Sequence, residues 1–99
     1  MSMTTTTVVR YRVHPDQADR NAELVRAVYD ELREHGPAGL AYSTYRLEDG
    51  TFVHVAEEEH PGQLREVAAF RAFREGLDDR CAEPLVRMGA ERVGAYRPG

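Results

Sequence analysis

The sequence predicts a single α+β domain in which strands and helices follow one another as β-α-β-β-α-β. Three observations carry that prediction: a β-branched run at the start, an Asp49-Gly50 turn between two further β-rich runs, and two stretches with apolar residues at helical spacing. A chain of 99 residues holds one hydrophobic core, so residues 1–99 are read as one domain.

Residues 4–13 open with four threonines and two valines and continue as Arg10, Tyr11, Arg12 and Val13, the composition and alternation of a strand. His14 and Pro15 end it, and Asp16 is placed to cap a helix on which Ala18, Ala22, Val25, Tyr29 and Leu32 form one stripe. Gly36 and Pro37 stop that helix, the expected glycine cap followed by proline. Residues 39–47 and 51–57 read as antiparallel strands joined by Glu48, Asp49 and Gly50. Beyond Gly62, a second helix is expected to carry Leu64, Val67, Phe70, Phe73 or Arg74, and Leu77 on one side, with Gly76 weakening it and Pro84 closing the region. Residues 89–97 alternate again and are expected to be the fourth strand.

Composition narrows the function. A formal charge of −4 and the absence of a basic face argue against nucleic acid as a partner. No apolar run reaches the ~20 residues of a membrane span, and the first seven residues lack the pattern of an export signal, so a cytoplasmic, non-membrane protein is expected. The lone Cys81 has no internal disulfide partner, and its neighbours Asp78 and Asp79 would raise its thiol pKa, which makes it a poor nucleophile. All thirteen basic residues are arginine, so many stand where another coding bias would have written lysine. No phosphate loop, dinucleotide fingerprint, Ser/His/Asp arrangement or metal-ligand spacing is present, and no cofactor or metal is expected. Glu57, Glu58, Glu59 and His60 are consecutive on a strand, where side chains alternate between faces.

Two helices on one face of a split β-α-β sheet leave the other face bare. Relative hydrophobicity assigns Val9, Tyr11, Val13, Tyr45, Leu47, Val53, Val55, Val93 and Ala95 to the helix side. The bare side then receives Val8, Arg10, Arg12, Tyr42, Thr44, Arg46, Phe52, His54, Ala56, Arg92, Gly94 and Tyr96. That mixture of aromatic and cationic residues is too apolar for a solvated face, and a second copy of the chain would cover it in a two-fold homodimer.

The initial strand and helix, the Asp-Gly hairpin, the second helix with Ala68-Ala69-Phe70-Arg71-Ala72-Phe73 and the closing Val93-Gly94-Ala95-Tyr96-Arg97 together resemble the dimeric α/β-barrel proteins, especially the antibiotic biosynthesis monooxygenase-like families. The resemblance covers nearly the whole chain and rests on pattern. It implies a ferredoxin-like fold, a four-stranded antiparallel sheet with two helices on one face, and a barrel formed by two subunits. Some members of the group oxidise phenolic or anthrone-type compounds with dioxygen and no cofactor, and relatives degrade haem or isomerise lactones. The tryptophan used in the haem-degrading branch has no counterpart, because the chain has no tryptophan.

His54 is the candidate catalytic residue: an imidazole on a central strand could take a proton from a phenol or carbon acid. The competing reading is a buried histidine hydrogen-bonded to Tyr42 or Thr44 across the hairpin. Arg10, Arg12, Arg46 and Arg92 are candidate anion contacts, or else partners of Glu57, Glu58 or Glu91 in salt bridges. Tyr42 and Tyr96 could donate to an oxyanion or stack on a ring, and Phe52 would line the same space. The expected ligand is a small hydrophobic or aromatic compound. Whether the chain is a cofactor-free monooxygenase-like enzyme or a non-catalytic ligand-binding or dimerisation module stays open at this level.

Overall fold

A computed structural model describes residues 4–97. The elements are β1 (Thr5–Val13), α1 (Ala18–His35), β2 (Leu40–Arg46), β3 (Thr51–Glu58), α2 (Ala68–Arg74), α3 (Leu77–Arg80) and β4 (Cys81–Ala90). The strands form one antiparallel sheet in the order β2-β3-β1-β4, with β1 hydrogen-bonded to both β3 and β4. This is the predicted β-α-β-β-α-β arrangement, with α1 and α2 packed side by side. No described helix is long and apolar enough to cross a membrane.

The hairpin between β2 and β3 forms where Asp49-Gly50 places it. Gly50 takes φ +88°, which a side chain would resist, and the Asp49 carboxylate accepts the Thr51 N–H at 2.9 Å. In α1 the predicted stripe is buried at Ala18, Ala22 and Val25, and Val28 joins it with no exposed surface. Gly36 caps the end of α1 as expected, but Asp16 does not cap its start. Asp16 lies within a one-turn 3₁₀ segment, Pro15–Gln17, that leads into α1, and its side chain makes no capping bond. Gly36 ends α1 in extended conformation with φ −64°. A Cβ there would stand 2.3 Å from the Leu32 carbonyl oxygen, so glycine is required by close approach and not by a left-handed turn.

The second helical region is divided, further than Gly76 alone suggested. A 3₁₀ turn (Leu64–Glu66) is followed by extended backbone at Val67, then the seven residues of α2, then Gly76 at φ +77°, then the single turn of α3. Leu64, Val67, Phe73 and Leu77 still reach the core.

The fourth strand begins eight residues earlier than expected and ends where the expectation began to apply; residues 91–97 are exposed and outside any described strand. Pro84 does not close a helical region. It lies in β4, at the sheet edge, within a register irregularity: Arg10 pairs with Val86 but Arg12 with Glu83. An edge strand tolerates a residue without N–H at such a bulge, which is why the proline stops nothing here.

The register also corrects the two sheet faces. Antiparallel partners project to the same side, and Val9 pairs with His54, Tyr11 with Phe52 and Thr44 with His54. Tyr42, Thr44, Phe52, His54 and Ala56 therefore face the helices together with Val9, Tyr11 and Val13. The bare face carries Val8, Arg10, Arg12, Tyr45, Val53, Val55, Val86 and Met88 instead. Val93, Gly94, Ala95, Arg92 and Tyr96 belong to neither face, since they follow the end of β4.

Gly76 offers a direct test of backbone control. A Cβ added there meets nothing closer than an Arg80 guanidinium nitrogen at 3.6 Å, so the cost of Gly76→Ala is conformational. The substitution is expected to destabilise the protein by about 1 kcal/mol, the penalty for a side chain in the left-handed region, read as a lower urea midpoint at unchanged slope.

Candidate functional site

The helix-facing surface of the sheet carries a chain of buried polar groups. Arg80, buried among core residues, donates from Nη2 to the Phe73 carbonyl at 2.7 Å, from Nη1 to the Glu75 carbonyl at 3.2 Å and from Nε to Asn21 Oδ1 at 3.2 Å. With its oxygen so engaged, Asn21 turns its Nδ2 to donate to the Tyr11 hydroxyl at 2.9 Å. Tyr11 Oη lies 2.8 Å from His54 Nε2, and on the other side of the imidazole Tyr42 Oη and Thr44 Oγ1 lie 2.6 and 3.1 Å from Nδ1. Tyr29 Oη closes the series 2.8 Å from Thr44 Oγ1.

Hydrogen counting assigns the imidazole tautomer. Tyr11 already accepts from Asn21 and is almost fully buried, so its own hydrogen needs an acceptor, and His54 Nε2 is the acceptor in reach. The ring proton then sits on Nδ1, between the Tyr42 and Thr44 hydroxyl oxygens. Burial, helped by the Arg74 charge, lowers the His54 pKa from 6.5 to about 4. Burial likewise raises the pKa of Tyr11 and of Tyr42, so both phenols stay protonated as donors. Aromatic contacts fix the rings: Tyr11 stacks on His54 with centroids 5.4 Å apart, and Phe73 tilts against the same imidazole at 5.4 Å.

These groups border a partly open cavity of about 200 Å³ between the sheet and the divided second helical region. Its floor is Thr7, Val9 and Tyr11 of β1, Tyr42 of β2, His54 and Ala56 of β3, and Leu85 of β4. Its roof is Leu64, Phe70, Phe73 and Leu77. Three arginines reach it from three elements: Arg65 from the 3₁₀ turn, Arg74 from α2 and Arg87 from β4.

Comparison with known proteins agrees with this architecture. No protein-family model matches the sequence, and no curated protein matches it. Among solved structures, the chain is similar to a proposed antibiotic biosynthesis monooxygenase from Nitrosomonas europaea (TM-score 0.74, 19% identity, 94% of this chain and 93% of that one). It is also similar to a protein of the same description from Bacteroides thetaiotaomicron (TM-score 0.78, 10% identity, 97% and 95%) and to a Mycobacterium tuberculosis protein (TM-score 0.74, 15% identity, 95% and 99%). The fold is the ferredoxin-like fold of these monooxygenase-like proteins. Identities this low establish the fold alone, and the chemistry has to be argued from the side chains.

Within that fold, the residues singled out from sequence separate. Tyr42 and His54 meet at the cavity floor, and Phe52 lies beside them, stacked on Tyr11 at 5.8 Å. Arg46 stands at the end of β2, its guanidinium over Phe52 at 5.9 Å and 3.1 Å from Asp19. Arg10 and Arg12 project from the opposite face, where Arg12 pairs with Glu83 at 2.6 Å. Arg92 pairs with Glu57 of its own chain at 2.5 Å, and Tyr96 is almost fully exposed. Cys81 is half-buried at the start of β4, and burial and the nearby Asp78 raise its thiol pKa. Among the described residues, no three metal-ligating side chains converge.

Sequence reading missed Arg87, Arg65, Phe70 and Tyr11 as cavity residues, and treated Arg74 only as an alternative to Phe73. The helical spacing of Phe70, Phe73, Arg74 and Leu77 was the available signal for the roof. Arg87 had none, because placing the last strand at 89–97 put it outside the sheet.

The protonation of His54 is measurable. Its folded pKa lies below its ordinary value, so the neutral ring stabilises the fold in full above about pH 6.5, and that contribution is lost as pH falls toward 4. The loss is on the order of 3 kcal/mol at ~1.4 kcal/mol per pKa unit. Urea titrations at a series of pH values should show this slope in the native protein, and His54→Gln should remove it while leaving the shared acid dependence of the carboxylates.

Proposed function

We propose that the chain is a cofactor-independent, monooxygenase-like enzyme that acts on a small phenolic or polyketide-type compound bound in the cavity between sheet and helices. The observation that carries this reading is the half-buried Tyr42 hydroxyl, held 2.6 Å from the His54 imidazole and lining the same cavity as Arg65, Arg74 and Arg87. A phenol or enol bound with its oxygen at Tyr42 would lose its proton more easily there, since Arg74, Arg87 and the Tyr42 O–H all favour the oxyanion. The series from Asn21 through Tyr11 and His54 to Tyr42 aligns donors toward that oxygen and costs no reorganisation when charge develops.

An electron-rich phenolate or enolate can react with dioxygen directly. A ring or methylene carbon bearing two hydrogens becomes a carbonyl by loss of four electrons to O₂. One oxygen atom stays in the product and the other leaves as water with the two hydrogens, so the balance needs no external reductant. The similarity to structures described as monooxygenases supports this chemistry for the cavity.

A second reading is favoured by one observation: both ring nitrogens of His54 are held by the chain's own hydroxyls, and its pKa near 4 makes it a weak base. In that reading the cavity binds the same class of compound without converting it. Incubation with ¹⁸O₂ and small one-ring phenols separates the two. Incorporation of one labelled atom is expected, with Tyr42→Phe lowering the rate at least ten-fold; saturable binding without oxygen uptake would leave the binding module.

The bare sheet face supports a homodimer. Tyr45, Val86 and Met88 are 58%, 40% and 54% exposed and lie with Val8, Val53 and Val55 on one surface, an apolar area that solvated sheets rarely present. A second copy of the chain, paired by a two-fold axis, would cover it. Light scattering is expected to give twice the chain mass, and Met88→Glu to give a folded monomer by the same measurement and by circular dichroism.

A further inference from the structure

We propose that the compound taken by this cavity is an aromatic carboxylic acid of about one ring, its carboxylate held at the arginine rim and its ring against Phe70 and Phe73. This rests on the preceding reading that the cavity binds a small aromatic compound, and it commits to the ligand's charge and orientation.

The chain carries seventeen acidic residues against thirteen arginines, so a cluster of unneutralised positive charge is not what composition alone produces. Most of the arginines are committed. Arg12, Arg20, Arg33, Arg46 and Arg92 pair with carboxylates, and Arg71 and Arg80 donate to backbone carbonyls. Six remain without such a partner among the described residues: Arg10, Arg26, Arg65, Arg74, Arg87 and Arg97. Three of those six, Arg65, Arg74 and Arg87, line the aromatic cavity.

Among the described residues Glu58 is the only acidic one lining it, and one oxygen of that carboxylate accepts the Leu64 N–H at 2.9 Å. The rim thus has an excess of two positive charges with planar donors that match a carboxylate. The rest of the lining is mostly apolar or aromatic, with Thr5, Thr7, Tyr11, Tyr42 and His54 as its neutral polar groups and the last two bonded to each other.

A ligand that satisfies both ends is amphiphilic: an anion outside, a ring in the middle and a hydroxyl or carbonyl oxygen within reach of Tyr42. Size points the same way. A dry cavity of ~150 Å³ takes a benzene ring, and about 200 Å³ has room for a ring and one or two small substituents. It lies below the ~300–1,000 Å³ usual for larger ligands. A fused tricyclic compound would not enter it without opening the roof.

Isothermal titration with 4-hydroxybenzoate and with its methyl ester tests the assignment at pH 7, where the acid is ionised and His54 is neutral. Two-dimensional NMR of the His54 and Phe73 rings reports the site. The acid is expected to bind at least ten-fold more tightly than the ester, with both perturbing the two rings. Arg74→Gln and Arg87→Gln should each weaken the acid several-fold and leave the ester unchanged. These side chains are exposed and make no ion pair in the described protein, so the variants should fold like the parent. Added salt should weaken the acid selectively, as it screens partly exposed pairs. Equal affinity for acid and ester, or an acid indifferent to both variants, overturns the carboxylate assignment and leaves the aromatic cavity standing. If neither compound binds and neither ring signal moves, the cavity reading itself falls and takes this inference with it.

Discussion

The structure depends on one constraint, the burial of a neutral histidine in the middle of a sheet. His54 is 4% exposed and sits under Phe73 between Tyr11 and Tyr42. A buried imidazole with unpaired nitrogens would cost several kcal/mol, and the fold avoids this by drawing partners from every layer. Tyr11 comes from β1, Tyr42 and Thr44 from β2, Asn21 and Tyr29 from α1. Arg80 then ties the series to the carbonyls of Phe73 and Glu75, where α2 ends. The same bonds that make the histidine tolerable therefore fix α1 on the sheet and hold the end of α2 above it. Stability and site geometry share one set of contacts.

The divided second helix follows from this. An unbroken helix from Leu64 to Leu77 would lie across the sheet as a continuous roof. Extended backbone at Val67 and the left-handed turn at Gly76 reduce the roof to seven helical residues, and the cavity occupies what is left uncovered between them and β1 and β4. Arg80, the last residue of α3, turns back to the α2 end through two carbonyl bonds, so the break is braced from below. The roof rings Phe70 and Phe73 pack on Tyr42 and His54 respectively.

The order of elements was legible in the sequence because each rests on short-range chemistry: the Asp49-Gly50 turn, the stripe of α1 and the β-branched run of β1. The sheet faces were not. Ranking alternate residues by hydrophobicity places Val53 and Val55 inside and His54 outside, which holds when only one face is covered and buried polar groups are absent. Here the bare face is itself apolar and the helix face contains a satisfied histidine, so the ranking inverts on β2 and β3 while remaining correct on β1. Register settles the matter, since Tyr11 opposite Phe52 and Val9 opposite His54 oblige β1 and β3 to share a face. The fourth strand failed for a different reason. Proline was read as a stop, and its tolerance at an edge bulge is a property of sheet position that no local pattern reveals. Of the site, the bond between His54 and Tyr42 or Thr44 could be named from sequence because the Asp49-Gly50 hairpin sets their strands side by side, although alternation put them on the wrong face. The arginine rim could not, since Arg65, Arg74 and Arg87 lie on three elements brought together by folding.

The corrected faces give the two sides of the sheet different work. With Arg10 and Arg12 on the bare side and Tyr42 and His54 on the other, a partner bound to the bare face and a ligand under the helices never touch, yet each strand serves both. Val8, Arg10 and Arg12 alternate along β1 with Val9, Tyr11 and Val13, and Val53 and Val55 flank His54 on β3. A shift of one residue in the β1–β3 register would remove Tyr11 from His54 and carry Val8 and Val53 off the bare face in the same step. A second copy bound at the bare face would therefore favour the register that assembles the site, because both faces are written on alternate residues of the same two strands.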